Sequence, residues 1–326
     1  MHSAISASIG GYFELELPSP KSFLYRGTLG FQSARAAFFA LLLEGRPTRV
    51  WMPKYICNSM LEPLVRAGVD CLFYNINAQF DIVGDVDVRP TDWLFYVNYF
   101  GVCSDNVENI FARFNQHQIV LDHSHAFYVA PKDCLATIYS PRKFFGIPDG
   151  GLLVTQLSVK TPSEIDNDSI NRITHLFKRL ADSPQSGYAD YLQAEKSLSE
   201  FEPLEMSCLT RRMLASIDYQ YIRTRRNQNF RFLHGCLGNL NQLQIKLNNV
   251  DGPLCYPFIT ISSEIRELLV AERVFIPSYW SDVKGRTCDD DVEAYLCDKC
   301  IAIPCDQRYE IQDLKKITQI ILDWKR

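Results

Sequence analysis

The sequence has no long apolar run: its longest, Ala36 to Leu43, falls far short of the roughly 18 residues a membrane-spanning helix needs. The N-terminus, M-H-S-A-I-S-A-S-I-G-G, lacks a basic region followed by an apolar one, so no leader is expected and the expectation is a soluble cytoplasmic protein. Nor is there a basic cluster. Lys plus Arg is 34 against 38 for Asp plus Glu, a net charge of −4, which leaves no face able to neutralise a nucleic-acid backbone. No G-x-G-x-x-G follows the first strand candidate, which argues against a nicotinamide dinucleotide site. Gly and Pro, at 16 each in 326 residues, are too few for a collagenous or low-complexity chain, and no internal repeat is visible. Cysteine, by contrast, is plentiful. Eleven are scattered from Cys57 to Cys305, an odd number in a chain large enough to fold without staples, and they read as reduced core thiols. Cys297-Asp-Lys-Cys300, near Cys288 and Cys305, is a spacing that can grip zinc. No second such pair or paired His follows, and Cys300 and Cys305 bracket the strand-like I-A-I-P, so no metal is expected.

What is present is an alternating pattern over residues 31–156. Helical apolar spacing at 31–43 leads to a strand candidate at 49–53 and a helical stretch through Leu64 to Gly68. Strand candidates follow at 70–76, 92–100, 118–122, 135–140 and 151–155, rich in β-branched and aromatic residues. This texture predicts an α/β domain with a mostly parallel sheet covered on both faces. After Thr161 the sequence turns polar and helix-prone, at 186–201 and along an arginine-dense stretch from Arg211 to Leu237. From Pro253 the elements shorten: a strand at 256–261, a helix from Ser263 to Glu272, a strand at 300–304 and an amphipathic helix from Glu310 to Trp324, with acidic Asp289 to Glu293 read as a solvated loop. The expected organisation is a large α/β domain over 1–210 and, over 211–326, a linking helix with a small α+β domain.

In open α/β sheets functional groups gather at the carboxyl ends of strands. Asp122 closes Q-I-V-L-D and is followed by H-S-H-A, which puts a carboxylate and His125 at such an end. Lys143 lies 21 residues on, in S-P-R-K-F-F-G-I-P-D-G-G. A strand-end lysine within reach of a buried aspartate is what a pyridoxal phosphate enzyme requires: the lysine forms a Schiff base, and the acid keeps the pyridine nitrogen protonated. Ser140 is placed to bond the cofactor phosphate, and the glycines after Lys143 allow close backbone approach. The structural alternative is a helix-capping Asp122 and a surface Lys143.

Taken in order, four segments resemble the DegT/DnrJ/StrS family of pyridoxal phosphate-dependent sugar aminotransferases, which have the aspartate aminotransferase-like fold (fold type I). Q-S-A-R-A-A (32–37) resembles the family's S-G-R-x-A-L turn. V-W-M-P-K-Y-I-C-N-S (50–59) resembles its v-x-x-P-x-Y-x-x-x-S element. V-N-Y-F-G (97–101) and I-V-L-D-H-S-H-A (119–126) resemble the h-x-x-G strand end and the E-D-x-A-H/Q-A motif. S-P-R-K with Gly150 and Gly151 resembles the Schiff-base segment, and I-P-C-D-Q-R-Y (303–309) is similar to the L-P-x-D-x-R-Y ending of some members.

The resemblance implies a homodimeric aminotransferase that converts a keto-sugar, nucleotide-linked, to an amino-sugar with an amino-acid donor, in polysaccharide or antibiotic-sugar synthesis. It implies Lys143 as Schiff-base lysine and proton carrier, Asp122 as partner of the pyridine nitrogen and His125 as a contact of the ring or its phenolic oxygen. Ser33, Ala34 and Ser140 would hold the phosphate, the first two through the backbone. Cys57 stands where the family places an aromatic residue on the ring, and Tyr55 lies two positions early. The family's G-x-N-x-R-M segment is replaced by E-M-S-C-L-T-R-R-M-L (205–214), where Arg211 or Arg212 could serve a phosphate. These departures keep two alternatives open: a degenerate pyridoxal phosphate-binding regulatory or scaffold protein, and an enzyme of the same fold with a different reaction, a dehydration or an amino-acid substrate.

Overall fold

A computed structural model describes residues 9–20, 25, 27–262 and 264–324. Eight strands form one sheet in the order β1-β8-β7-β6-β5-β2-β3-β4: β1 (Leu29–Phe31), β2 (Arg49–Pro53), β3 (Asp70–Ile76), β4 (Ile82–Val83), β5 (Asp92–Val97), β6 (Ile119–Asp122), β7 (Ala136–Tyr139) and β8 (Gly151–Thr155). The pairs β3–β2, β2–β5, β5–β6 and β6–β7 are parallel, while β4, β8 and β1 pair antiparallel at the two sides. Every residue of β5, β6 and β7 is buried, the mark of strands covered on both faces. The predicted strand at 92–100 ends at Val97, because Tyr99–Gly101 turns in a 3-10 helix with Phe100 at φ 57°. The short strands β1 and β4, two or three residues each, carry too little pattern to be read beforehand.

Helix α1 (Ala34–Gly45) packs on β7 and β8 and on α2 (Glu62–Ala67), and α3 (Ser104–Arg113) buries Val107 and Ile110. The polar stretch contains α4 (Ser169–Arg172), α5 (Thr174–Ala181), α6 (Tyr188–Ser197), α7 (Cys208–Ala215) and α8 (Tyr219–Leu237). The arginine-dense stretch is thus two helices. The chain breaks at 216–218, where the Asp218 carboxylate accepts the Tyr221 N–H at 3.0 Å and starts α8 afresh.

The C-terminal part pairs β9 (Cys255–Ile259) with β10 (Cys300–Pro304), antiparallel, and adds α9 (Glu264–Ala271), α10 (Val292–Lys299) and α11 (Ile311–Trp324). Phe230 and Leu233 of α8, Tyr256 and Phe258 of β9, and Leu314 and Ile317 of α11 build a second core there. Ser263, the expected start of the helix ending near Glu272, lies outside the described residues. The expected solvated loop at 289–293 is corrected: α10 begins inside it, and Glu293 is buried, accepting the Ile76 N–H at the end of β3 at 2.7 Å. A carboxylate that caps a sheet strand from another part of the chain looks, in sequence, like one more surface acid. All eleven cysteines are free, six of them buried, and Cys297 and Cys300 sit on α10 and β10 with the Cys297 thiol on the Trp280 carbonyl. Among the described residues no group of His, Cys, Asp or Glu suits a metal, and no helix is long and apolar enough to cross a membrane.

Candidate active site

Asp122 ends β6 between Val97 of β5 and Ile138 of β7, with its carboxylate buried. The Ser124 N–H donates to it at 2.7 Å. Among the described residues it forms no ion pair, and burial raises its pKa against the pull of Ser124 and the Lys143 charge. Three residues on, the turn delivers His125 into the core. Its Nδ1 accepts the Phe100 N–H at 3.3 Å, and its Nε2 lies 2.9 Å from Lys143 Nζ. Burial first, and then the Lys143 charge, hold this imidazole well below the usual histidine range.

Lys143 arrives from β7 through a 3-10 turn, Pro141–Lys143, whose last N–H closes on the Ser140 carbonyl at 3.1 Å. The following carbonyl, of Phe144, is gripped by Gln307 Nε2 at 2.9 Å and by the guanidinium of buried Arg226, which tie the lysine segment to the C-terminal part. Cys57, past the end of β2, completes the cluster: burial raises its thiol, while the Lys143 charge and the Ser59 hydroxyl at 2.9 Å pull it down. Tyr55 is placed elsewhere, in the core, with its ring against Trp280, Tyr99 and Phe80 at 4.8, 5.6 and 6.5 Å. Of the two candidates in that element, Cys57 is the one whose thiol feels the charges of Lys143 and Asp122.

The remaining candidates gather at the start of α1. Ser33 is its N-cap, the hydroxyl accepting the Ala36 N–H at 3.1 Å, which occupies the side chain and leaves the first backbone N–H groups at the helix end. Gly151 lies against this end so closely that a Cβ would stand 2.3 Å from the Ala34 nitrogen. Gly150 donates its N–H to the Gln32 carbonyl at 2.8 Å, and beside it is Pro141 of the lysine turn. The glycine pair therefore joins the α1 terminus to the Ser140–Lys143 turn, and the Ser140 hydroxyl is not used as a cap. Arg211 and Arg212 are committed elsewhere, to Glu205 and Glu14.

Two site residues went unread in the sequence. Trp280 stacks on His125 at 5.3 Å and 10°, and Tyr279 meets the same ring edge-on at 4.9 Å and the Lys143 ammonium position at 5.9 Å. The only sequence signal was a Tyr-Trp pair in a loop with no periodicity.

The chemistry of this donor set fits pyridoxal phosphate. A buried carboxylate with no ion pair among the described residues suits a protonated pyridine nitrogen, the N-terminus of α1 suits a phosphate, and the charge of a lysine amine reaches the carboxylate. No family model matches the sequence, and no curated protein matches it. Solved structures do match. The sugar aminotransferase CalS13 from Micromonospora echinospora aligns with a TM-score of 0.61 at 13% identity, over 90% of this chain and 86% of that one. A DegT DnrJ EryC1 StrS aminotransferase from Brucella abortus aligns with a TM-score of 0.56 at 13% identity, over 91% and 85%. DesI, solved in the presence of its TDP-sugar product, aligns with a TM-score of 0.57 at 16% identity, over 91% and 80%. Over nine-tenths of its length, this chain has the fold of the DegT-type aminotransferases.

Proposed function

We propose that the chain is a pyridoxal phosphate-dependent aminotransferase that converts a nucleotide-linked keto-sugar to an amino-sugar with an amino-acid donor. The observation that carries this reading is the cluster at the sheet's carboxyl edge: Lys143 Nζ in contact with His125, with its charge felt by the buried Asp122 carboxylate, in a chain with this fold. Lys143 would hold the cofactor covalently, Asp122 its ring nitrogen, the Ser33 and Ala34 backbone with the Ser140 hydroxyl its phosphate, and Cys57 and His125 its ring. When bound, the cofactor supplies an electron sink for the negative charge left on carbon when a proton is removed. The chain supplies the rest. Lys143 carries the proton from the donor carbon, Asp122 keeps a positive charge opposite itself, and the rings of His125 and Trp280 form the buried wall behind the lysine.

The TDP-sugar product of DesI supports a nucleotide-linked substrate. Exposed apolar side chains on α5 and α6, among them Phe177, Leu180, Tyr188 and Leu192, support a surface buried in a homodimer. We keep cytoplasmic placement and the division at residue 210 as part of this reading.

Mixing the protein with pyridoxal phosphate tests it. A visible Schiff-base band, fixed to Lys143 by borohydride, missing in Lys143→Ala and bleached by glutamate or another amino donor as pyridoxamine phosphate forms, supports the proposal. A wild type with no band overturns the cofactor. A band that no amino donor bleaches overturns the transfer reaction.

A further inference from the structure

His125 is enclosed by the rings of Phe100, Tyr279 and Trp280, with centroids 5.4, 4.9 and 5.3 Å away. Two of these three rings hang on uncommon backbone: Phe100 at φ 57° and Trp280 at φ 59°. A bulky residue is disfavoured there and persists only where its surroundings fix it. Gly101, at φ 78°, comes so close that a Cβ would stand 2.8 Å from the His125 carbonyl oxygen. The chain spends conformational strain on both sides of one imidazole.

That enclosure also sets the ring's proton. The Phe100 N–H donates to Nδ1, so Nδ1 is an acceptor. A neutral imidazole carries one ring proton, and with Nδ1 accepting it sits on Nε2. Nε2–H then faces Lys143 Nζ at 2.9 Å. An ammonium has three donors and no lone pair, so this contact is a hydrogen bond only when Nζ is the free amine. We propose that His125 is a second catalytic group of the site, whose Nε2–H donates to Lys143 and selects the amine that attacks a carbonyl. The proposal rests on the pyridoxal phosphate reading. In the attack the Nε2–H contact releases the Nζ lone pair, which bonds to the aldehyde carbon, and the amine's two protons leave with the aldehyde oxygen as water.

The other titratable groups around the pair are Asp122, Cys57 and Tyr279. Burial keeps the thiol and the phenol neutral. The Asp122 carboxylate opposes His125 by favouring an ammonium, so with His125 removed Asp122 acts on Lys143 alone and attack slows.

Two measurements decide it. Nitrogen-15 spectra of the histidine-labelled protein without cofactor should show His125 as the Nε2–H tautomer, with signals that move in Lys143→Ala. An Nδ1–H tautomer or an imidazolium overturns the proposal. Rapid mixing with pyridoxal phosphate should show the Schiff-base band growing at least about tenfold more slowly in His125→Phe, with most of the rate recovered in His125→Gln, which keeps an N–H donor. Should the Phe variant fail to fold, His125→Asn, whose shorter side chain cannot reach Nζ, replaces it. Equal rates in all variants overturn the proposal. A wild type without any band overturns the cofactor reading instead, while the tautomer spectrum still decides the His125–Lys143 bond.

Discussion

Asp122 and His123 are adjacent buried groups with opposite prospects. His123 is fully buried with no well-formed hydrogen bond to either ring nitrogen among the described residues, and burial outweighs the nearby Val129 backbone to push its pKa down to about 4 from 6.5. The unfolded chain takes up the proton near pH 6.5 and the folded chain only near 4. The contribution is therefore whole above pH 6.5 and is lost as pH falls from 6.5 toward 4, by about 2 kcal/mol at pH 5. His123→Leu, close in volume and without polar atoms to strand, should remove that loss. Urea unfolding at pH 8 and pH 5 checks it: the wild type should lose about 2 kcal/mol more than the variant, and equal losses would show that His123 is not held neutral. Asp122→Asn should keep the fold and the Schiff-base band, yet slow the amine half-reaction on the order of 10²-fold, because the charge opposite the ring nitrogen is gone. Unchanged turnover in stopped-flow would remove Asp122 from its role. That Asp122, His125 and Lys143 lie together at the sheet's carboxyl edge was legible in the sequence because each ends or follows an apolar strand run. Trp280 was not, since its place on His125 depends on a distant loop folding back, and no local pattern records that.

At the scale of elements, apolar runs gave away the central strands, because a strand buried on both faces must be apolar throughout. The break between α7 and α8 was harder, since Asp218 is a cap only if the backbone leaves the helix before it. The contact of β8 with α1 joins the parts of the site, and Gly151 is its point of closest approach. With a Cβ only 2.2–2.3 Å from the Ser33–Ala34 peptide, Gly151→Ala has no room, and the obstacle is backbone rather than a side chain that could turn aside. The expected cost is about 3 kcal/mol in unfolding free energy, with weakened phosphate-dependent cofactor binding. Gly146→Ala is the control: the nearest atom there is Leu176 Cδ2 at 3.5 Å, so stability should stay within about 0.5 kcal/mol. Thermal unfolding of both variants tests the contrast, and a wild-type melting temperature for Gly151→Ala would refute the close packing.

For the whole molecule, the loop between α9 and α10 is the element that joins the two parts at the site. Tyr279 and Trp280 lie on His125, and just beyond them Arg286 donates to the Lys54 and Ile56 carbonyls and to Asn58, with Asp282 and Asp291 taking the Asn58 N–H and the Lys54 ammonium. One loop thus builds a wall of the site and clamps the segment carrying Cys57, which explains how a C-terminal part with its own core can shape chemistry at the large sheet's edge. Sequence reading missed this because an arginine that binds backbone carbonyls leaves no complementary charge to notice. Removing the clamp should free the segment before it unfolds anything else. Losing hydrogen bonds worth about 1–3 kcal/mol raises local opening roughly tenfold or more. In Arg286→Ala the Cys57 thiol should therefore be alkylated about tenfold faster than in wild type, while exposed Cys208 and Cys288 react unchanged. Lys284→Ala, which removes an exposed pair between the same loop and Asp298 of α10, should leave the half-buried Cys57 reacting at the wild-type rate. Peptide mapping after timed alkylation separates these outcomes. If Cys57 reacts equally in both variants, the cover over the site comes from the large sheet alone and the loop only rests on it.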